Sequence, residues 1–121
     1  MPDMPDAEDA TQDLVDLARL RQRFDDDEEL LAEIFRVFQS EAPGRRTGLE
    51  RALAAGDMNA VTHLAHSLKG VAATMFAEPL RQAAWDLEMA GRAADAAAAS
   101  RLAVVMLRLL DATSRHVAGL F

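Results

Sequence analysis

The chain of 121 residues has no cysteine and no tyrosine, and only one tryptophan and one lysine. Without cysteine there can be no disulfide, no metal–thiolate site and no thiol chemistry, an absence that fits a cytoplasmic protein. No stretch approaches the roughly 18 apolar residues of a membrane span. The opening Met1-Pro2-Asp3-Met4-Pro5-Asp6 is acidic where a signal peptide would be basic. No segment alternates apolar and polar residues as a half-buried strand does, and no internal repeat is present. The pattern G-x-x-x-x-G-K-[ST], which cradles nucleotide phosphates, is also missing.

What remains is half apolar and rich in alanine, a composition that favours an all-α protein. Its length suits one domain around one hydrophobic core. The net charge of −7 is uneven. Residues 1–41 carry 13 acids against 4 arginines, whereas residues 42–121 carry 7 acids against 9 basic residues. The overall acidity excludes a general nucleic-acid binder, while the body of the domain keeps enough positive charge to meet a phosphoryl group.

Along the chain, residues 1–12 form an acidic, proline-containing tail that is expected to be disordered. The domain is expected over 13–121. Leu14, Leu17, Ala18 and Phe24 make a short N-terminal helical segment. Asp25-Asp26-Asp27 opens a helix, because acids near an N-terminus cap it and offset its dipole. That helix carries Leu30, Leu31, Ile34, Phe35, Val37 and Phe38 and is expected to end near Pro43-Gly44. A third helix carries Leu49, Ala52 and Leu53 and stops at Gly56, with Asp57 capping the next one. After a break around residues 76–79, Pro79 starts a helix whose stripe is Leu80, Ala83, Ala84 and Leu87. The last helix runs from about Asp95 to about Arg115, with Leu102, Val105, Met106, Leu109 and Leu110 inward. Short connections between amphipathic helices imply an up-and-down antiparallel four-helix bundle with an additional N-terminal helix.

The most informative segment is Ala65-His66-Ser67-Leu68-Lys69-Gly70. Val61, Leu64, Ala65, Leu68, Ala72 and Met75 recur at steps of three and four and define the apolar stripe of one helix. At about 100° per residue, His66 and Gly70 fall well over 90° from the centre of that stripe, and Lys69 falls near its edge. An imidazole, a cation and an empty position therefore share one outward face. A nucleophile presented in this way suits docking against another protein's active site. A lone exposed histidine is usually inconsequential, and a lone lysine is usually a solvated cation. The joint placement favours function. Gly70 costs about 1 kcal/mol against alanine in a helix interior, so clearance for a docking partner is a better reason for it than packing on a face turned from the core.

Ala65-His66-x-Leu68-Lys69-Gly70, followed by Ala72, Leu80 and Leu87-Glu88, resembles the histidine-containing phosphotransfer (HPt) domain family. Arg23-Phe24, Leu30-Leu31, Phe35 and Gly56-Asp57 upstream are similar to the family's pattern too, so the resemblance spans roughly residues 14 to 110. It implies that His66 is the phosphoacceptor and that Lys69 offsets phosphoryl charge. It also implies that the side chain at Glu88 hydrogen-bonds the histidine ring and that Arg92 approaches the phosphoryl group. Glu88 and Arg92 stand at i and i+4, and a helix-surface ion pair is an equal reading. The chain departs from the family at Val71, where serine is common, and at Phe76, where glycine is common. The second departure leaves the turn geometry at 75–79 open.

His63, one turn before His66, is read as a bystander at the docking rim rather than a second acceptor or half of a metal pair. Trp85 is either a partial anchor for a partner or a cover for the N-terminal helix, and the second is preferred. The reading is a histidine phosphotransfer protein of a multistep phosphorelay that is not itself an enzyme. It would carry phosphoryl between receiver-domain aspartates of a hybrid histidine kinase and response regulators. It would bind no cofactor or metal, the magnesium being supplied by the receiver, and it would act as a cytoplasmic monomer with no nucleic-acid or membrane partner. The first alternative is the dimerisation and phosphoacceptor domain of a histidine kinase, which needs two chains per bundle. A non-catalytic receiver-binding adaptor is the second, and a metalloenzyme comes last.

Overall fold

A computed structural model describes residues 13–121, and the acidic tail over 1–12 lies outside the described residues. Five helices follow in order: α1 Leu17–Arg23, α2 Glu28–Ala54, α3 Met58–Thr74, α4 Glu78–Arg92 and α5 Ala96–Ala118. There is no strand among the described residues. Helices α2 to α5 close a ring in which each packs on the next and α5 returns to α2, while α1 leans on α2. This is the expected four-helix bundle with an extra N-terminal helix. No helix among the described residues is long and apolar enough to cross a membrane.

The helix starts follow from aspartate. Asp16, Asp27, Asp57 and Asp95 each accept a backbone N–H from the third helical residue, at 3.0–3.1 Å, satisfying one of the donors that a helix leaves unpaired. Helix α4 has no such side-chain cap and begins with Pro79 in its first turn.

Three turns of three residues join the bundle helices, and all are closed alike. In each, the middle residue has positive φ: Gly56 at 66°, Phe76 at 54° and Ala94 at 55°. The next residue donates its N–H back to the last turn, as in Asp57 to Ala52, Ala77 to Ala72 and Asp95 to Ala90. That is the Schellman closure, which favours glycine at the left-handed position. Only the first turn has it. Phe76 is compensated by packing: its ring rests against the core with the Arg19 guanidinium 4.9 Å above it, and its carbonyl accepts from Asp16 N at 2.9 Å. The N-terminal segment is thereby tied to the α3–α4 turn.

The expected break at Pro43-Gly44 does not occur. One 27-residue helix, α2, runs through both residues. Pro43 and Gly44 face solvent, while Leu31, Phe35, Phe38, Ala42, Leu49 and Ala52 form one buried stripe across them. Burial of that stripe outweighs the roughly 3 kcal/mol that an interior proline costs. Ties to α5 flank the site: Gln39 donates to Ser114 O, Arg46 donates to Leu107 O, and Arg46 pairs with Asp111. The core register of α5 also differs from expectation. Ala99, Ala103, Met106, Leu110, Thr113 and Val117 point inward, Leu102 and Leu109 are half-buried, and Val105 is 46% exposed.

Candidate functional site

His66 stands two turns into α3, on the flank toward α4. The stripe that anchors its helix is buried as expected, with Val61, Ala65, Leu68, Ala72 and Met75 all in the core. His66 itself is 62% exposed. Its Nδ1 lies 3.1 Å from Glu88 Oε2 on α4. A carboxylate accepts only, so Nδ1–H is the donor to Glu88, and in the neutral ring the lone pair is on Nε2.

Glu88 is the buried centre of the site, with a side chain 1% exposed. Lys69 Nζ lies 2.8 Å from Oε1, and Arg92 Nη2 lies 2.7 Å from Oε2. The Lys69 ammonium foremost, with Arg92 and His66 adding, pulls the Glu88 pKa down to about 2 against the opposing penalty of burial. The residue is therefore an anion at neutral pH. Glu88 and Arg92 pair at i and i+4, and the same carboxylate also contacts the histidine ring.

Gly70 is exposed, and a Cβ built on it would meet nothing within 4 Å. The space one turn beyond His66 is open. Asn59, Thr62, His63, His66, Gly91 and Arg92 line a polar groove on the other side of the histidine.

A family model described as Hpt domain matches residues 33–116. The chain belongs to the Hpt domain family. Its structure is similar to the crystal structure of histidine-containing phosphotransfer protein B (HptB) from Pseudomonas aeruginosa PAO1. The TM-score is 0.81 at 26% identity, over 89% of this chain and 94% of that chain. No curated protein matches the sequence. The protein is a histidine phosphotransfer protein of phosphorelay signalling, and proteins of this family are phosphocarriers that meet receiver domains, not classical enzymes.

Within this Hpt domain Trp85 is 40% exposed, and the Lys69 ammonium sits 4.7 Å from its ring centroid. Lys69 is thus held between an anion and an aromatic face, a combination that restrains a flexible cation. His63 is exposed, with Nδ1 2.8 Å from the Asn59 carbonyl of its own helix. His116 lies on α5, apart from this cluster. Among the described residues no group of histidine and acidic side chains has metal-binding geometry.

Sequence reasoning missed one neighbour altogether. Arg45 on α2 donates to Ser67 Oγ at 3.2 Å and pairs with Glu41, also at 3.2 Å, which flanks the His66 face from the α2 side. No local spacing could reveal a contact between residues 22 positions apart. Beyond it, Ile34, Val37, Phe38, Val71 and Met75 line an apolar groove between α2 and α3. Val71 serves that groove at the position where the family commonly has serine.

Proposed function

We propose that His66 is the phosphoacceptor and that the chain shuttles phosphoryl between receiver-domain aspartates. The observation that carries this reading is the contact of His66 Nδ1 with buried Glu88, which in the neutral ring puts the lone pair on Nε2 of an exposed imidazole. In the transfer step the Nε2 lone pair attacks the phosphorus of an aspartyl phosphate. The N–P bond forms as the acyl O–P bond breaks, and the aspartate leaves as a free carboxylate. The proton stays on Nδ1. Positive charge that develops on the ring is met by the Glu88 anion, and the reverse sequence delivers the group to a second receiver.

Lys69 and Arg92, both already beside Glu88, offset the phosphoryl charge. Gly70 leaves the opening that the receiver enters, and the apolar groove between α2 and α3 continues that docking face. The receiver brings its own acidic pocket and magnesium, and the chain binds no ATP. One chain supplies all four bundle helices, so the working unit is a cytoplasmic monomer.

The test is incubation with a magnesium-loaded, phosphorylated receiver domain, followed by mass spectrometry under mildly alkaline conditions that preserve phosphohistidine. One phosphoryl group on the native chain and none on a folded His66→Gln variant is the expected result. Uptake by His66→Gln at the native level would remove His66 from the role.

A further inference from the structure

Resting on the phosphocarrier reading above, we propose that Gly91 is a positioning residue for the transfer. Its missing side chain sets the separation of α3 and α4 at which Glu88 reaches His66. Gly91 is buried where α4 crosses α3. A Cβ built on it would lie 2.3 Å from Thr62 Oγ1 and 3.2 Å from both the Cα and the backbone nitrogen of Thr62. Two of these three atoms are main chain and cannot rotate away. The third is held in place, because the Thr62 hydroxyl donates to Met58 O at 2.8 Å.

The contact sits next to the chemistry on both helices. Thr62 is one turn before His66 on α3. Gly91 is three residues after Glu88 and adjacent to Arg92 on α4. A methyl group at position 91 is therefore accommodated only if the Thr62 hydroxyl gives up its bond to Met58 O and α4 moves outward or tilts by a few tenths of an ångström. That shift acts directly on the 3.1 Å contact between His66 Nδ1 and Glu88 Oε2, which is near the upper end of hydrogen-bond length and has little slack. Once the contact opens, no other hydrogen bond among the described residues holds the ring proton on Nδ1, and the lone pair is shared between the two nitrogens. Gly91 also forms part of the wall of the polar groove beside His66, so an added methyl would narrow that groove.

The test compares the native chain, Gly91→Ala, and Gly91→Ala combined with Thr62→Ala. Three quantities are read: the single-turnover transfer rate from a phosphorylated receiver domain, the ring nitrogen chemical shifts of His66 by long-range proton–nitrogen NMR, and the thermal midpoint. Gly91→Ala should slow transfer by at least about tenfold, since small misplacements of reacting groups cost that much or more. It should also move the ring shifts away from the pattern of an Nδ1-protonated imidazole. The double variant, freed of the 2.3 Å contact, should recover part of both. A folded Gly91→Ala chain with native rate and native ring shifts overturns the proposal. So does a chain that is slower and less stable but keeps the native ring pattern, because Gly91 would then matter to the fold alone. Should Gly91→Ala not fold, the double variant decides on the same two readouts. If the native chain takes up no phosphoryl group, the phosphocarrier reading fails. The ring shifts still report whether Gly91 sets the contact between His66 and Glu88.

Discussion

The two flanks of helix α3 are built in opposite ways, and two glycines mark the difference. Toward α4 the surface is closed. Gly91 presses against Thr62, Glu88 is buried, and His66, Lys69 and Arg92 all converge on one carboxylate. On the outward face the surface is open, and Gly70 has nothing within 4 Å of where a side chain would begin. The same residue type serves close approach in one place and clearance in the other. On the proposed function, the flank packed on α4 orients the imidazole and the open face admits the partner. A phosphocarrier needs both, because the nucleophile must be held and yet reachable.

The closed flank breaks most severely at Glu88. Glu88→Ala leaves Lys69, Arg92 and His66 without their shared anion. Removing one partner of a buried ion pair costs about 3–5 kcal/mol, and the part exposure of the two cations, Lys69 and Arg92, brings the expected loss to about 2–3 kcal/mol. Chemical denaturation at neutral pH measures it. The pH dependence sharpens the same point. The Glu88 pKa is depressed to about 2 in the folded chain, so its contribution is complete above the ordinary carboxylate range. It is lost as pH falls through that range toward about 2. The stability difference between native and Glu88→Gln chains should therefore shrink over that window. A difference that stays constant across it would contradict the assignment.

Lys69→Ala removes the foremost influence that keeps Glu88 ionised and, on the proposed function, one of the two cations that offset phosphoryl charge. Transfer should slow by about tenfold to a hundredfold, as for loss of one charge-stabilising group, with receiver affinity nearly unchanged. A native single-turnover rate would make the lysine a bystander. On the open flank, Gly70→Gln should weaken receiver binding by about tenfold, because a long side chain enters the partner's space. It should also raise stability by about 0.5–1 kcal/mol, since glutamine is the better helix former. Calorimetric titration and thermal unfolding of one preparation give both numbers. Normal binding with lowered stability would mean that Gly70 packs against something after all. The smallest effect belongs to His63→Gln, which should leave label uptake at the native level.

The outward face of α3 was legible in the sequence, and its packing against α4 only in part. His66, Lys69 and Gly70 lie within one turn and a half of a single helix, so their shared face follows from periodicity alone. The aspartate caps and the overall bundle followed from the same local rules. Glu88 was placed beside the histidine by family resemblance, but its burial went unread. The signal was there: Leu80, Ala84, Glu88 and Gly91 follow steps of four, four and three, which puts the carboxylate in the register of the apolar stripe. Gly91 carried no local signal of its role, because its partner, Thr62, is on another helix. Pro43 misled for a physical reason. A proline penalty is local and visible, whereas the continuity of Phe35, Phe38, Ala42 and Leu49 across it shows only when the stripe is traced past the proline. Trp85 lies off its stripe, and its use against Lys69 depends on how α3 and α4 cross.

The central claim is that Glu88 holds the ring proton on Nδ1 and thereby makes Nε2 of His66 the acceptor atom. The most direct measurement is phosphorus and ring-nitrogen NMR of the native chain, labelled in its histidines and phosphorylated by a receiver domain in mildly alkaline buffer. One phosphorus resonance is expected, coupled to Nε2 of His66, with Nδ1 retaining its proton. Phosphorus coupled to Nδ1 of His66, or to either nitrogen of His63, would contradict it.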